Sequence, residues 1–238
     1  MSNVRSVLIS GGNQGLGMHT VHQLASAPNV LVFMGSRKLS GAQETLAHFA
    51  KDTHPSSTIV PVQLDVAEDE SIKNAYTTVS EYLREKNLTG LDVLINNAAI
   101  LVESFEDSYA VNVVGVASLT QTFRPLLQPG GAIINISSKV GSMGLWSTPE
   151  RRPRKIYPAY ISSKTALNSL TLQWAIEEEQ KGSGIRVVSI CPGFNATNMN
   201  NYTGVMDPAD GCKVIVNTAL AEEGKSGVFI DRNGEVPW

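Results

Sequence analysis

A tyrosine and a lysine four residues apart, Tyr160 and Lys164, could carry acid–base chemistry. Residues at this spacing share one face of a helix, so the phenol and the ammonium can reach the same pocket. A free tyrosine, with a pKa of ~10, is a poor catalyst at neutral pH, and a neighbouring ammonium would favour the phenolate and lower that pKa. The pair also fits an ordinary solvated helix face, so its interpretation depends on the rest of the chain.

A glycine-rich turn near the start of the chain could bind phosphate. Gly11, Gly15 and Gly17 lie between an apolar, β-branched run and a helical pattern. Glycines there let the backbone turn sharply and approach a pyrophosphate at the helix N-terminus, where unpaired N–H groups point outward. The segment therefore predicts a dinucleotide site, and a plain turn is the alternative that the glycines alone leave open.

The residues after the second apolar run indicate which dinucleotide binds. An acidic residue there would bind a ribose 2′-hydroxyl, whereas an arginine accommodates a 2′-phosphate. The chain has Ser36 and Arg37 and no acid, so Arg37 can pair with the phosphate and Ser36 can donate a hydrogen bond to it. We therefore predict NADP(H) rather than NAD(H); the alternative is that Arg37 merely begins a surface helix.

Apolar, β-branched-rich runs alternate with helical patterns along the chain. The runs predict strands over 4–10, 30–35, 58–64, 91–95, 131–137, 185–190 and 227–230. The periodic segments predict helices over 15–27, 40–53, 69–85, 105–127, 157–181 and 208–221. Strands that are apolar almost throughout are typical of a parallel sheet buried on both faces. We therefore expect an α/β fold with a doubly wound parallel sheet of about seven strands and helices on both faces, as a single domain over 1–238.

Composition and charge exclude several classes of protein. Hydrophobic residues make up 42% of the 238 residues and charged residues 17%, so we expect a full core rather than disorder. The net charge of -3 argues against nucleic-acid binding, because such domains usually carry a basic face. We interpret the short basic cluster at 151–155 first as part of a solvated loop; the alternative is a site for an acidic ligand or partner.

Cysteine usage and the first residues bear on compartment and metal binding. Two cysteines make no disulfide framework and no metal-ligand spacing includes them, so we expect no metal and a reduced, cytoplasmic setting. The apolar stretch at 7–9 is far too short for a signal peptide or a membrane span, so no membrane partner is expected.

Further segments complete a pattern that resembles the classical short-chain dehydrogenase/reductase family. They occur in the family's order, together with the glycine turn and the Tyr/Lys pair, and cover nearly the whole chain. Ala99 stands where the family usually has glycine, which adds a methyl group near the nicotinamide. The glycine turn, the 64–66 segment and the ending over 227–238 look most like the carbonyl-reductase branch. The further segments are Asp65-Val66, Asn96-Asn97-Ala98-Ala99, Tyr109 to Gly115, Asn135-Ile136-Ser137-Ser138, and Cys191-Pro192-Gly193 with Thr197.

The resemblance implies a Rossmann fold and NADPH-dependent reduction of a ketone or aldehyde, reversible as alcohol oxidation. It implies Ser138, Tyr160, Lys164 and Asn112 as the catalytic residues, with Ser138 binding the substrate oxygen rather than its buried neighbour Ser137. Asn112 would hold a water that links Lys164 to solvent. The cofactor residues that the motifs imply are Gly11, Asn13, Gln14, Gly15, Leu16, Gly17, Ser36, Arg37, Asp65, Val66, Asn97, Ala98, Tyr160, Lys164, Pro192, Gly193 and Thr197.

Two segments, 141–156 and 194–206, interrupt the regular pattern as long loops after strands, where open α/β sheets place their ligands. We expect them to be substrate loops, with ordinary surface loops as the alternative. Their apolar side chains indicate an apolar or aromatic small-molecule substrate, or else simply pack the loops down. These side chains are Met143, Leu145, Trp146, Phe194, Met199, Tyr202 and Met206.

Other functions on the same fold stay open at this point. An epimerase, a dehydratase or a biosynthetic ketoreductase would carry the same residues, and a non-catalytic NADP(H) sensor would share the fold. The extra stretch at 146–155 lies beside the expected substrate mouth and near the helix face through which many relatives dimerise. The sequence therefore does not decide among monomer, homodimer and tetramer.

Overall fold

The structure, a computed structural model, describes residues 4–49, 51–152 and 156–238. Within these ranges eight strands form one sheet in the order β3-β2-β1-β4-β5-β6-β7-β8. Neighbouring strands run parallel from β3 to β7, and β8 runs antiparallel to β7. The strands are β1 (Arg5–Ile9), β2 (Val30–Ser36), β3 (Thr58–Gln63), β4 (Leu91–Asn96), β5 (Leu127–Ile136), β6 (Arg186–Ile190), β7 (Val228–Asp231) and β8 (Gly234–Glu235).

Helices cover both faces of this sheet. Helices α1, α2 and α9 contribute buried side chains to the cluster on one face, and α3, α5 and α7 to the cluster on the other. The α-helices of the described ranges are α1 (Gly15–Ser26), α2 (Leu39–Phe49), α3 (Asp69–Glu85), α4 (Phe105–Tyr109), α5 (Val116–Phe123), α6 (Met143–Trp146), α7 (Pro158–Lys181), α8 (Pro208–Gly211) and α9 (Lys213–Leu220).

Burial of the central strands explains why their sequences are apolar almost throughout. In β1, Leu8 packs into one cluster while Val7 and Ile9 pack into the other. All seven residues of β2 are buried. A strand that is covered on both faces has no solvent-exposed side on which polar residues would be favoured. The predicted doubly wound α/β fold is therefore confirmed.

The sheet has eight strands rather than the expected seven. The extra strand β8 has only two residues, and it follows a tight turn in which the Asn233 N–H donates to the Asp231 side chain at 2.7 Å. Two residues are too few to show a periodic apolar pattern, so the sequence did not reveal this hairpin.

The expected helix over 105–127 is interrupted. A π-helical turn, Ala110–Gly115, separates α4 from α5, and a 3₁₀ turn, Arg124–Leu126, ends the run before β5 begins at Leu127. A Cβ at Gly115 would lie 2.5 Å from the carbonyl oxygen of Val66, so the absence of a side chain lets this turn approach the end of β3. The helical segment thus approaches the end of β3 at its π-helical turn, where the α-helical hydrogen-bond pattern is interrupted.

A buried chain of polar side chains links β4 and β5 to the helices that cover them. The Asn96 amide donates to Thr120 at 2.9 Å and to Asn135 at 2.8 Å, and the Asn135 amide donates to Thr171 at 2.8 Å. All four residues are almost completely buried. The asparagines therefore join β4 to α5 and β5 to α7, as expected if they have a structural role beside any role at the site.

Replacing Asn135 with alanine should destabilise the fold, because the change removes the partners of the Asn96 amide and the Thr171 hydroxyl. We expect the free energy of unfolding to fall by about 2 kcal/mol or more. Chemical denaturation of Asn135→Ala beside Asn74→Ala, an exposed asparagine on α3, measures this difference. Equal losses in the two variants would show that the buried chain contributes little.

Candidate active site

The residues predicted to bind or react come together at one edge of the sheet. The glycine turn follows β1, Asn97 follows β4, Ser138 follows β5 and Pro192 follows β6. These strands are parallel neighbours, so their carboxyl ends lie at the same edge. The sheet thereby gathers residues that are far apart along the chain.

Tyr160 and Lys164 lie in the first turns of α7, which packs against β6 and the 3₁₀ turn Lys139–Gly141 and is hydrogen-bonded to the end of β5. The Lys164 ammonium is buried, donates to the carbonyl oxygen of Ile136 at 2.8 Å and lies 5.7 Å from the centre of the Tyr160 ring. Ser138 lies close enough to the Tyr160 hydroxyl to lower its pKa. The structure therefore brings the hydroxyl, the phenol and the ammonium together, and Ser137 is the buried serine of the pair.

Burial raises the pKa of Tyr160 above its ordinary value. The negative charge of the nearby Cys191 thiolate, present at the high pH where the phenol titrates, raises it further, and Ser138 lowers it less than burial raises it. The direction is opposite to the one expected from the lysine alone, because removing water from the phenol disfavours the phenolate. The protein by itself thus keeps Tyr160 protonated at neutral pH.

Burial also lowers the pKa of Lys164, to about 8, with Cys191 acting in the opposite direction. A buried ammonium is costly unless it has hydrogen-bond partners, and the Ile136 carbonyl supplies one. The lysine can therefore change its protonation state within a physiological range of pH.

The Asn112 side chain is fully buried and already bonded to protein groups. Its oxygen accepts from the Ile100 N–H at 2.9 Å, and its amide donates to the Ile100 carbonyl at 2.9 Å and to Ser163 at 3.0 Å. Both amide hydrogens are thus used to hold the segment after β4 against α7. A water held at this residue would have to bind the π-helical backbone rather than the amide.

The glycine turn is packed too closely for side chains. Gly11 has a φ of +65°, and a Cβ on Gly17 would lie 2.1 Å from the Gly11 carbonyl oxygen. The Asn97 amide donates to the carbonyls of Ser10 and Gly11 at 2.9 and 3.0 Å, while the Ser10 hydroxyl accepts from the Ala98 N–H at 3.0 Å. Asn97 and Ala98 therefore support the turn after β1, a role that spacing did not show for Ser10.

The start of α1 is suited to bind an anion. Gln14 precedes the helix, and no side-chain cap from it to the helix is present in the part of the chain that the structure describes. The first turn, which includes Gly15 and Leu16, contains no acidic residue. Its N–H groups are thus left for a phosphate. The Asn198 amide donates to the Gln14 side chain at 3.0 Å, which joins the 194–206 loop to this turn.

Arg37 follows β2 at the same edge and is exposed. Its guanidinium has no ion pair or hydrogen bond with the described residues, so it is available for a 2′-phosphate. Ser36 is buried, and its hydroxyl donates to the Lys38 carbonyl at 2.9 Å. The predicted hydrogen bond from Ser36 to a 2′-phosphate would require this hydroxyl to turn away from that carbonyl. The Asn13 amide lies near Gly41 at the start of α2, beside this position.

Asp65 and Val66 line the edge after β3. The Asp65 side chain accepts from the Ala67 N–H at 3.1 Å, and its own N–H donates to Ser71 at 2.9 Å. Val66 is buried against the turn that contains Gly115. The segment is therefore held rigidly where the adenine of a dinucleotide was expected.

Pro192, Gly193 and Thr197 form a turn after β6. Gly193 has a φ of +91°, and a Cβ there would lie 2.5 Å from the Met206 sulfur. The Asn195 amide donates to the carbonyls of Pro192 and Gly193 at 3.2 and 3.1 Å. Thr197 begins a 3₁₀ turn, Asn198–Asn200, and its position is set by this packing.

The two predicted substrate loops divide their apolar side chains between packing and exposure. Leu145 is buried with Cys191, Phe229 and Val236, and Trp146 packs against this cluster. Residues 153–155 of the longer loop, with part of the basic cluster, lie outside the described residues. The side chains that remain exposed are Met143, Phe194, Met199 and Tyr202.

Two features of the site were missed by sequence reasoning. Cys191 precedes the Pro-Gly turn, and its thiol lies close enough to Tyr160 and Lys164 to affect the pKa of both. Ser163 was passed over within the Tyr-to-Lys segment, although it bonds the Asn112 amide. Neither contact follows from spacing, because each joins residues on different elements.

A search of residues 4–49, 51–152 and 156–238 finds no group of three or more histidine, cysteine or acidic residues placed to hold a metal ion. In the same ranges, none of the helices is long and apolar enough to cross a membrane.

Comparison with known proteins identifies close relatives in sequence and structure. Residues 5–207 match the family model described as short chain dehydrogenase. A protein of Penicillium roqueforti named short-chain dehydrogenase anuI is 34% identical over 229 residues, covering 90% of this chain and 87% of the relative. The NADPH-bound carbonyl reductase from chicken fatty liver superposes with a TM-score of 0.80 at 30% identity, covering 99% of both chains. Carbonyl reductase Sniffer of D. melanogaster has a TM-score of 0.82 at 26% identity, covering 99% of this chain and 100% of its own.

The lowered pKa of Lys164 predicts how stability depends on pH. Its folded pKa is about 8 and its ordinary value is 10.5, so the unfolded chain binds more protons between these two values. The contribution of Lys164 to the free energy of unfolding therefore rises with pH there, by up to about 1.4 kcal/mol per pH unit. The penalty for burying the charge is fully present below pH ~8 and fades above it.

Denaturant unfolding of the wild type and Lys164→Met, at several pH values from about 7.5 to about 9.5, measures this contribution. The wild type should gain stability relative to the variant as pH rises. Burial raises the pKa of the Cys191 and Cys212 thiols, which acts in the opposite direction. The Cys212 contribution cancels in the difference; Cys191 interacts with Lys164, so the same comparison in a Cys191→Ala background removes its contribution. A difference independent of pH would contradict the buried ammonium.

Proposed function

The chain belongs to the short-chain dehydrogenase/reductase family, and on this basis we propose that it is an NADP(H)-dependent oxidoreductase that reduces a ketone or aldehyde and can oxidise the corresponding alcohol. The observation that carries the proposal is the meeting of Ser138, Tyr160 and Lys164 at the carboxyl edge of the sheet. These three groups are those needed to bind a carbonyl oxygen and protonate it.

The fit of the chain to NADP(H) is supported by two parts of the edge. At Gly11 and Gly17 no side chain blocks the approach of a pyrophosphate to the turn after β1. The first N–H groups of α1 have no side-chain cap from Gln14, so they can bind its negative charge. Arg37 suits the 2′-phosphate that distinguishes NADP(H) from NAD(H), because it is exposed and unpaired within the described ranges. The chicken carbonyl reductase, similar over nearly its whole length, binds NADPH.

Ser138 and Tyr160 act on the substrate oxygen. When bound, NADP(H) supplies the hydride in reduction and accepts it in the reverse direction. The two hydroxyls donate hydrogen bonds to the carbonyl oxygen and stabilise the negative charge that develops there. Tyr160 then gives its proton to that oxygen, and its raised pKa means that it begins the reduction in the protonated form.

Lys164 supports Tyr160 after that proton has left. Its ammonium lies beside the ring and stabilises the phenolate that forms, while its bond to the Ile136 carbonyl keeps it in place. Asn112 supports the site through its bonds to Ile100 and Ser163. Lys164 would pass a proton to the phenolate, and a water on the backbone of the Asn112 turn would replace the proton that the lysine gives up.

The substrate is a small molecule with an apolar or aromatic body. Met143, Phe194, Met199 and Tyr202 remain exposed on the loops that flank the site, and contact with an apolar ligand would remove their surface from water. The rim therefore favours aromatic ketones, quinones and aldehydes over small charged substrates.

A non-catalytic sensor of NADP(H) would need the cofactor residues but not the reactive set. The convergence of Ser138, Tyr160 and Lys164 therefore supports an enzyme over a sensor. A fall in NADPH absorbance with any of a panel of aromatic ketones, quinones and aldehydes tests the proposal, and steady absorbance across the panel would favour the sensor. Analysis of the products by mass would separate simple reduction from dehydration or epimerisation.

Replacing Tyr160 with phenylalanine should remove the acid without disturbing packing. We expect kcat to fall by a factor of about 10³ while the NADPH dissociation constant changes by roughly twofold or less. Tyr76→Phe, on α3 away from the site, is the matched control and should keep full activity. Unchanged turnover in Tyr160→Phe would refute the assignment.

Exchanging Arg37 for aspartate should change cofactor preference, because the carboxylate repels the 2′-phosphate. We expect the NADPH dissociation constant to rise on the order of 10²-fold and that for NADH to change far less. Arg84→Asp makes the same charge reversal at an exposed position on α3 and should affect neither. Equal weakening of both cofactors by Arg37→Asp would remove the basis for NADP(H).

A further inference from the structure

The segment that follows Ser138 consists only of short helical turns, which do not hold one conformation by themselves. Ser138 precedes a 3₁₀ turn, Lys139–Gly141, and its hydroxyl accepts from the Val140 N–H at 3.4 Å. The short helix α6 follows at once. We call residues 139–146 the serine loop. Short turns of this kind need contacts with other elements to keep one conformation.

Residues 236–238, the tether segment, provide such contacts through their backbone. The Ser142 hydroxyl donates to the Pro237 carbonyl at 2.5 Å, and the Gly144 N–H donates to the Trp238 carbonyl at 2.5 Å. Ser142 also accepts from the Leu145 N–H at 3.1 Å, so it joins the start of α6 to the tether segment. Two hydrogen bonds therefore fix the middle of the serine loop.

Gly144 is required at its position by close approach rather than by its φ angle. A Cβ there would lie 2.7 Å from the Trp238 carbonyl oxygen and 3.1 Å from Pro237. Both neighbours belong to the tether segment, and one of them is backbone. Even one added methyl group would therefore push the serine loop and the tether segment apart.

Apolar and charged contacts reinforce the same junction. Val236 is buried in one cluster with Leu145 and Phe229, and the Trp238 ring stacks on Phe229 with ring centres 5.7 Å apart. An ion pair joins Lys139, the residue after Ser138, to Asp231 at the end of β7. The β7 strand and the tether segment thus hold the serine loop at both of its ends.

Helix α7 holds the opposite side of the serine loop. The Thr165 hydroxyl donates to the Gly141 carbonyl at 3.0 Å, and a Cβ on Gly141 would lie 2.7 Å from the backbone of Lys164. The serine loop is therefore enclosed between the helix that carries the phenol and the ammonium on one side and the tether segment on the other.

We propose that the tether segment positions the substrate: it presses the serine loop against α7, so that Ser138 and the exposed Met143 keep their places at the substrate mouth. The inference rests on the proposed function and deepens it by naming specificity-determining residues outside the predicted catalytic and cofactor-binding sets. Ser142, Gly144 and Trp238 are positioning residues that act through the loop. They are separate from the glycine turn, so loosening them should leave cofactor binding intact.

Ser142→Ala and Gly144→Ala test the proposal with a carbonyl substrate found in the panel. We expect the KM for the carbonyl compound to rise about tenfold in each variant, with a smaller fall in kcat and an NADPH dissociation constant within roughly twofold of the wild type. Ser80→Ala on α3 is the matched control, since its hydroxyl bonds only locally, to the Thr77 carbonyl at 3.0 Å. A simple loss of folded protein would instead lower kcat at an unchanged KM.

The side chain of Trp238 allows a test of rescue. Trp238→Phe keeps an aromatic ring against Phe229 and should keep the wild-type KM, whereas Trp238→Ala removes the stacking and should raise the KM as Gly144→Ala does. Equal effects of the two substitutions, or wild-type KM values in both Ser142→Ala and Gly144→Ala, would overturn the proposal.

Hydrogen–deuterium exchange provides a readout that does not depend on activity. Peptides covering residues 139–146 should exchange faster in Ser142→Ala and Gly144→Ala than in Ser80→Ala. If exchange becomes faster but even the wild type reduces no carbonyl compound, the contact between the tether segment and the serine loop is supported and the proposed function is refuted. If exchange is unchanged, the tether itself is refuted, whatever the activity.

Discussion

The burial of one positive charge constrains the site more than any other feature. Lys164 is almost completely removed from solvent, and its ammonium donates to the carbonyl of Ile136, the last residue of β5. A buried ammonium tolerates little freedom, because losing its partner would leave the charge without compensation. This bond and the one from the Asn135 amide to Thr171 both hold α7 against β5, the strand that Ser138 follows.

Close backbone approach is the second constraint. Gly17 against Gly11 closes the cofactor turn, Gly115 against Val66 brings the π-helical turn to the sheet edge, and Gly141 and Gly144 allow the serine loop to lie between α7 and the tether segment. Each contact would place a Cβ under 3.0 Å from another atom. The site therefore depends on glycines at these close contacts as well as on its reactive side chains.

Burial of the site also explains the protonation states of Tyr160 and Lys164. A site dry enough to bury Lys164 also disfavours the phenolate of Tyr160, so burial raises the pKa of the phenol and lowers that of the ammonium. A protonated phenol beside Ser138 is prepared to donate to a carbonyl oxygen. In the proposed reaction this resting state would match reduction, and the ammonium would stabilise the phenolate that reduction leaves behind.

The sequence by itself determined the fold class, the strands and the main helices, because burial on two faces of a parallel sheet imposes apolar runs that local patterns reveal. It also predicted Tyr160, Lys164 and Arg37 as functional residues from their types and spacing, and those roles stay predictions. Tertiary structure alone decided the rest: that the Ser36 hydroxyl is occupied, that the Asn112 amide is bonded to protein, that Cys191 lies beside the catalytic pair, and that Trp238 holds Gly144. The contacts of Asn112, Cys191 and Trp238 join residues that are far apart along the chain, and the Ser36 bond depends on which way its hydroxyl turns. No local pattern encodes either of these.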